Sequence, residues 1–416
     1  MPVLFIDSPA SVTLNLGATR RWMFGLVPQG VAMGLSNLLT LLFLTIDLKG
    51  DVLQVGLLAG VSALSLIPSI MFWGWLTDRS ARCRPFLVLS FAGLGVILLL
   101  TPEARSVNEL FALAIAKSVM FAASLPSRQI LTVESESHDT WRGGLARLQF
   151  LDGLGQTIGL GLGFAFVGVL GFEYLFVLCG GLAFSSALAS AVLVREPGIM
   201  IERKLVGIER FVNTLSTASI MVSHADTFYH SQTSNDIKRL FRPSISFFML
   251  GIFCFSLGAA ALYSPLPVYF LKYYASSSIF LLFLSNTVAN TFGYLLVPGI
   301  AGRAGKSLLL ASATRMAVIP VLAFEGGQTG LLLAAVVLAT MGAIWALYDV
   351  AGTGMFMELA RSGRVGFYGA LAGLGSALGS CLGGFLSMSF GFGALFIFCT
   401  LVYAATLVFF VLQFRH

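Results

Sequence analysis

The stretch from Gly74 to Arg84 reads Gly-Trp-Leu-Thr-Asp-Arg-Ser-Ala-Arg-Cys-Arg and lies between two long apolar runs. It places Asp78, Arg79, Arg82 and Arg84 within seven residues, in a chain of which only 11% of the residues are charged. Burying so many charges in a nonpolar interior would be costly, so we expect this loop to lie at a membrane surface.

The composition is that of a polytopic membrane protein. The 416 residues are 57% hydrophobic and the mean hydropathy is +0.89, whereas soluble domains are roughly 45–50% apolar and about 25% charged. The apolar runs are long enough for helices rather than for barrel strands, since a spanning helix needs about 20 apolar residues. Twelve spanning helices are predicted, near residues 22–46, 52–76, 85–101, 107–130, 145–170, 173–194, 243–271, 276–301, 307–324, 328–357, 365–389 and 391–413.

The distribution of basic residues predicts the orientation of these helices. With the N-terminus inside, 20 of the 25 lysines and arginines fall on the cytoplasmic side, and Arg128 and Arg147 are counted among them. Three fall outside, and Lys117 and Arg315 lie within spans. Because cytoplasmic loops are enriched in lysine and arginine, both termini are predicted to be cytoplasmic.

A long polar stretch divides the chain into two halves. We predict an N-terminal six-helix bundle over residues 1–194, a cytoplasmic linker over 195–242 and a C-terminal six-helix bundle over 243–416. An internal repeat supports this division, because residues 151–179 align without a gap on residues 371–399 with 12 identities in 29 positions. Duplicated halves related by an axis along the membrane normal are a known transporter architecture.

The opening loop closely resembles the loop between the second and third helices of the major facilitator superfamily. The family pattern is G-x-L-x-D-R-x-G-R-R/K, and the matching residues are Gly74, Leu76, Asp78, Arg79 and Arg82, whereas Ala81 and Cys83 depart from it. Residues 299–306 are a degenerate second copy of the same loop, at an offset of 224 residues. The resemblance implies an all-helical membrane protein of twelve helices in two pseudo-symmetric bundles, with the activity of a secondary transporter.

The resemblance also implies a cytoplasmic gate. In the family, charged residues of this loop hold the two halves together when the binding site faces outward. The gate residues implied here are Gly74, Asp78, Arg79, Arg82, Glu134, Arg303, Glu358 and Arg364. The alternative is that the basic residues of the loop only fix the topology.

Charged residues within the predicted spans are candidate functional residues, because each is costly in lipid. Lys117 lies in a stretch that resembles a helix-four motif in which the family normally has arginine, a base that antiporters link to proton movement. Asp349 and Asp152 are candidates for proton coupling or cation recognition, since a buried carboxylate can bind and release a proton near neutral pH. The alternative for both is a structural role, and Arg315 is expected to have a structural partner or to snorkel.

Polar and aromatic residues on the first, seventh and tenth helices are further candidates. In the family these helices line the central cavity, so Gln29, Asn37, Tyr263 and Tyr348 are candidate ligands of a solute, with packing as the alternative. Glycines recur every fourth residue on the fifth and eleventh helices, at Gly155, Gly159, Gly163, Gly375, Gly379 and Gly383. They predict close helix packing, and they resemble the family's antiporter motif without its proline.

We therefore predict a secondary active transporter that moves a small solute by alternating access. The 36 phenylalanines, the few buried carboxylates and the helix-four base favour proton-coupled export of small organic or amphipathic compounds. One alternative is an importer or uniporter of an organic anion or a sugar-like solute. Another, from a different class, is a non-transporting receptor on the same fold.

Other functions are disfavoured by what the sequence lacks. All four histidines lie in predicted loops or at the terminus, so an intramembrane enzyme would have no histidine base or metal ligand at the depth of its site. No nucleotide-binding loop is present. The expected partners are a small-molecule substrate, protons and the lipid bilayer, without a cofactor, a metal or nucleic acid, for a monomer in the plasma membrane.

Overall fold

The computed structural model describes residues 21–80, 82–135, 141–194, 243–300, 304–324, 327–360 and 365–415. Over these ranges the chain is helical and contains no strand, as expected where lipid cannot hydrogen-bond to the backbone. The predicted all-helical membrane fold is confirmed. The predicted linker, 195–242, lies outside the described residues.

Fourteen α-helices in the described ranges form twelve rods. The helices are α1 Arg21–Phe24, α2 Val27–Ile46, α3 Val52–Ser80, α4 Arg84–Leu100, α5 Val107–Ser135, α6 Trp141–Phe166, α7 Phe172–Leu193, α8 Pro243–Tyr263, α9 Leu266–Leu271, α10 Ser276–Ile300, α11 Ala304–Val318, α12 Gly327–Ala360, α13 Val365–Ser389 and α14 Gly391–Arg415. The helices α1 and α2 form one rod and α8 and α9 another, bent near Pro28 and Pro265 because proline has no N–H to continue the helical ladder. A 3₁₀ segment, Ile319–Phe324, extends α11.

Within the described residues, ten of the rods are long and apolar enough to cross a membrane. The other two rods, α6 and α10, carry polar residues such as Asp152 and Asn286, and they pack against each other between the two halves. A helix shielded from lipid on that side tolerates more polar residues than one that lipid surrounds.

The two halves have the same internal packing. In the first half α2 packs on α6 and α7, α4 on α5 and α7, and α3 on α5. In the second half α8 packs on α13 and α14, α11 on α12 and α14, and α10 on α12. This one-to-one correspondence is the pseudo-two-fold that the sequence repeat predicts.

The halves meet each other along two main helix pairs, α3 with α13 and α6 with α10, while α9 also touches α2. We call the end of the bundle that holds residues 47–51 and 101–106 the outer end, because the basic residues predict it to face outside. Both pairs pack closely: a methyl group at Gly56 would lie 2.6 Å from the carbonyl oxygen of Ser380, and one at Gly153 would lie 2.6 Å from Thr291 Oγ1.

The repeated glycines bring helices of one half into backbone contact. A methyl group at Gly159 of α6 would lie 2.2 Å from the carbonyl oxygen of Val31 on α2. At the corresponding place in the second half, a methyl group at Gly379 of α13 would lie 2.2 Å from the carbonyl oxygen of Leu257 on α8. The repeated glycines on α6 and α13 therefore hold the same helix contact twice.

Replacing Gly159 by alanine is expected to destabilise the protein, because the added methyl would overlap a backbone oxygen that cannot move aside. Overpacking of this kind costs about 1–3 kcal/mol. Gly161→Ala is the matched control on the same helix, since nothing lies within 4 Å of its methyl position and alanine favours the helix. Thermal unfolding of the detergent-solubilised variants measures both effects, and equal unfolding temperatures would contradict the α2–α6 contact.

Candidate functional site

A buried polar cluster ties together three helices of the first half. The guanidinium of Arg128 on α5 donates to Gln29 Oε1 on α2 and, over 3.4 Å, to Asp152 Oδ1 on α6. Gln156 Nε2 donates to the other carboxylate oxygen, Asp152 Oδ2, over 2.9 Å. The cluster is an internal ion pair whose charges are satisfied by hydrogen bonds, as a low-dielectric interior requires.

Two of the arginines that we counted on the cytoplasmic side lie inside the helix bundle. Arg128 and Arg147, which we counted on the cytoplasmic side, are buried, with 4% and 7% of their surface exposed. The guanidinium of Arg128 lies 5.4 Å from the ring centre of Phe91 and 5.7 Å from that of Phe121. Sequence reasoning missed Arg128 because α5 runs on to Ser135 and draws this arginine inside the bundle.

Lys117 lies on the same helix, nearer the outer end, and contacts α2. Its Nζ donates to Asn37 Oδ1 over 2.8 Å and to Ser36 Oγ over 3.1 Å. Ser36 is fully buried, whereas Asn37 is exposed. Among the described residues, no carboxylate forms an ion pair with Lys117.

Arg315 on α11 is fully buried in the second half, in a box of aromatic rings. Its Nη1 donates to Tyr403 Oη over 2.7 Å and its Nη2 to the carbonyl oxygen of Met341 over 3.2 Å. The ring centres around the guanidinium carbon are those of Phe255 at 4.9 Å, Trp345 at 5.3 Å, Tyr403 at 5.6 Å and Tyr263 at 5.8 Å. Arg315 therefore does not snorkel to the membrane surface. It has structural partners instead, which was the other expected possibility.

Tyr263 connects this box to a more open polar group. Asn286 Nδ2 on α10 donates over 2.8 Å to Tyr263 Oη and over 2.8 Å to the carbonyl oxygen of Leu338. Tyr263 and Asn286 are both half-buried. The polar chain therefore runs from the enclosed Arg315 through Tyr263 to Asn286 on α10, a helix that packs against the first half.

Asp349 on α12 is half-buried and accepts a hydrogen bond from Tyr294 Oη over 2.9 Å. No basic residue among those described forms an ion pair with it. Asp349 thus differs from Asp152, whose charge Arg128 balances.

Two of the predicted cavity residues are enclosed instead. Gln29 is 1% exposed and bonded to Arg128 inside the first half. Tyr348 is 3% exposed, and its ring stacks on that of Phe255 with 3.5 Å between ring centres. Both turn into their own half because a partner is available there, and Asn37 and Tyr263 are left as the more open of the four.

The charged and polar candidates lie at different depths along the helix axes. Lys117 and Asn286 each lie ten residues from the outer end of their helix, and Asn37 lies nine, or about 15 Å at 1.5 Å per residue. Asp349 is 22 residues from the start of α12 and Arg128 is 21 from the start of α5, or about 32 Å. The cations without a carboxylate therefore lie nearer the outer end than the carboxylates.

The predicted gate residues lie at the other end of α3. Asp78, Arg79 and Arg82 are exposed there, and the guanidinium of Arg79 lies 5.6 Å from the ring centre of Trp75. Nothing lies within 4 Å of a methyl position at Gly74. Arg303 and Arg364 and the side chains of Glu134 and Glu358 lie outside the described residues.

The functional candidates that sequence reasoning missed are the polar partners of the charged residues. They are Ser36, Arg128, Gln156, Asn286, Tyr294 and Tyr403. Their common signal is a polar side chain inside an apolar run, but sequence alone does not pair them across helices.

Comparisons with known proteins agree with the fold. A family model described as Major Facilitator Superfamily matches residues 23–365. The solved structure of the nucleoside transporter NupG superimposes with a TM-score of 0.68 at 13% identity, covering 97% of this chain and 100% of that one. A bacterial homologue of the human drug peptide transporters PepT1 and PepT2 gives a TM-score of 0.69 at 14% identity, covering 97% and 98%.

A third similar structure is a POT family transporter in complex with a thioalcohol-conjugated peptide. Its TM-score is 0.70 at 12% identity, covering 96% of this chain and 99% of that one. No curated protein sequence matches the chain. Identities this low establish a shared fold and leave the solute to be inferred from the residues themselves.

Arg128→Met is expected to destabilise the first half, because it leaves the carboxylate of Asp152 without its cation. Removing one partner of a buried ion pair costs about 3–5 kcal/mol. The double variant Arg128→Met with Asp152→Leu should recover a large part of the loss, since apolar replacement of a whole pair is often neutral. Thermal unfolding of the variants measures these effects, and Arg105→Met, at an exposed outer-loop residue, is the control. If the destabilisation in the double variant equals the sum of the destabilisations in the two single variants, the pairing is contradicted.

Proposed function

The chain belongs to the major facilitator superfamily, and on that premise we propose that it is a secondary active transporter that couples the movement of a small organic solute to protons. The two six-helix halves would rock about a site between them and expose it alternately to each side. Each half is tied together internally by glycine contacts and polar clusters, so it can move as one body.

The observation that carries the coupling proposal is the state of Asp349. Its carboxylate is half-buried, has a hydroxyl donor in Tyr294, and is not ion-paired with any described residue. A carboxylate in such a place is costly when charged, so proton uptake and release there would accompany a change in exposure. Asp152 is the weaker candidate, because releasing its charge would leave Arg128 unbalanced.

The direction that we propose is export, at the plasma membrane and by a monomer. It rests on the phenylalanine-rich composition, which suits small organic or amphipathic compounds. The similar solved structures are named for nucleoside and peptide transport, and these names support a small organic solute in general. The competing receptor function differs in one property, because a receptor would bind the solute without moving it.

The inner end of α3 is our candidate for the cytoplasmic gate. The closest described contacts between α3 and α13 lie towards the outer end, at Gly56 and Gly60, while the methyl positions of Gly74 and Gly369 are open. This arrangement fits a state in which the site faces inward. Asp78, Arg79 and Arg82 would then close against charged partners of the other half when the site faces outward.

Asp349→Asn should abolish proton-coupled accumulation but leave solute exchange intact, because an amide binds no proton yet keeps the size and polarity of the side chain. Solute-driven pH change and counterflow in proteoliposomes measure the two activities separately. Glu103→Gln, at an exposed acid of the outer end, is the control. Normal coupling in Asp349→Asn would assign that residue a structural role, and binding without flux in the parent protein would favour the receptor.

Asp78→Asn should slow turnover, since it weakens the charge contacts that would hold the gate closed. A few charge contacts bias such an equilibrium by a few kcal/mol, so a decrease of about tenfold or more in transport rate is expected. Initial rates and binding constants on the same preparation check this. An unchanged transport rate in Asp78→Asn would indicate that the charges of this loop only fix the orientation of the helices in the membrane.

A further inference from the structure

Each half contains a cation, Lys117 or Arg315, that forms no ion pair with a described carboxylate. At the offset of 224 residues that relates the two copies of the loop, Phe91 corresponds to Arg315 and Lys117 to Met341. The guanidinium of Arg315 bonds to the carbonyl oxygen of Met341, the residue that corresponds to Lys117. The second half therefore places the charge of Arg315 next to Met341, the position that Lys117 occupies in the first half. Arg315 does so from α11, which corresponds to α4, whereas Lys117 is on α5.

Neither cation has a carboxylate partner among the described residues. A cation within a membrane is costly unless another group compensates it. Hydroxyl, amide and carbonyl oxygens solvate Lys117 and Arg315 without neutralising them. The outer layer of the site, defined by these two residues with Asn37, Tyr263 and Asn286, is thus positively charged.

Lys117 and Asn37 offer hydrogen-bond donors on the first half. The ammonium group has three donors, and two are used by Ser36 and Asn37. Because Asn37 accepts through Oδ1, its amide NH₂ is available to donate. Asn37 is exposed, so a solute between the halves can reach it.

Tyr263 offers a donor on the second half. Its hydroxyl accepts from Asn286 over 2.8 Å, and a hydroxyl that accepts still has its own hydrogen to donate. Arg315 lies behind the ring, 5.8 Å from its centre, and is fully buried. Arg315 is therefore a positioning residue whose charge strengthens the donor without contacting the solute.

We infer that the outer layer binds the anionic group of the solute, a carboxylate or a phosphate monoester, between Lys117 and Asn37 on one side and Tyr263 on the other. Tyr263 lies eight residues from the end of α9, and Asn37 nine from the end of α2, so the two are at a similar depth of about 12–14 Å. The positive charges of Lys117 and Arg315 repel a cationic solute, and together with the neutral donors they attract an anion. This inference rests on the proposed function only in assuming that the bound anion is also transported.

Binding to the purified full-length protein tests this inference. It is measured as the increase in the unfolding temperature of the protein with ligand concentration. The probes are a series of carboxylates from acetate to benzoate and phenyl phosphate, with benzamide and benzylamine as neutral and cationic analogues. We expect stabilisation by at least one anion and none by the two analogues. Comparing the stabilisation by the carboxylates with that by phenyl phosphate identifies which anionic group the site prefers.

Variants then locate the site. Lys117→Gln should weaken binding of the anion about tenfold or more, and Tyr263→Phe about threefold to tenfold, because a hydrogen bond from a charged donor contributes more than a neutral one. Lys117→Arg should retain most of the affinity. Lys272→Gln and Tyr273→Phe, which alter exposed residues near the outer end, are the matched controls.

The outcomes separate this inference from the proposed function. Stabilisation by benzylamine or benzamide equal to that by the anions, no binding of any anion, or unchanged affinity in both Lys117→Gln and Tyr263→Phe would overturn the inference even if the protein transports another solute. Anion binding that follows the variants as expected, without flux in proteoliposomes, would support the site and contradict transport.

Discussion

Lipid offers no hydrogen-bond partner and no counter-ion, and the rest of this structure depends on that constraint. Every polar group placed between the helices has to find its partner inside the protein. The first half meets this need with an ion pair, in which Arg128 and Asp152 neutralise each other, while Gln29 accepts from Arg128 and Gln156 donates to Asp152. The second half meets it by enclosing Arg315 in aromatic rings, whose faces attract a cation without neutralising it.

These two solutions have different consequences for function. A neutralised pair is a stable connection between α2, α5 and α6, and it favours motion of the first half as one body. Among the described residues, Arg315 contacts only rings and neutral oxygens, so its charge is not neutralised, and the ring centre of Tyr263 lies 5.8 Å from its guanidinium carbon. The duplicated scaffold is thus symmetric in its helix packing and asymmetric in its charges.

Glycines allow close helix packing within each half, while the two halves contact each other along fewer helices. Within each half, glycines place helices in backbone contact at Gly159 and Gly379, and such contacts resist shearing. Between the halves, the closest contacts are confined to two helix pairs. A structure that is rigid within its halves and joined along two pairs of helices has few ways to move, and a rocking motion is the simplest of them.

The sequence by itself determined the class of fold and its division into halves. Hydropathy specifies spanning helices because lipid imposes a length and an apolar composition on each, and the repeat at 151–179 and 371–399 specifies the symmetry. It also located Lys117, Asp152, Arg315 and Asp349, since a charge in an apolar run is conspicuous. Tertiary structure alone decided how these residues pair.

Arg128 belongs to the interior and Gln29 and Tyr348 turn into their own halves, because the depth and direction of a side chain depend on how helices distant in sequence are packed. Asp152 and Asp349 look alike in the sequence, yet among the residues that the structure describes only Asp152 has an arginine within 3.4 Å. Pairing is a property of distances between helices, and no local pattern of residues encodes it.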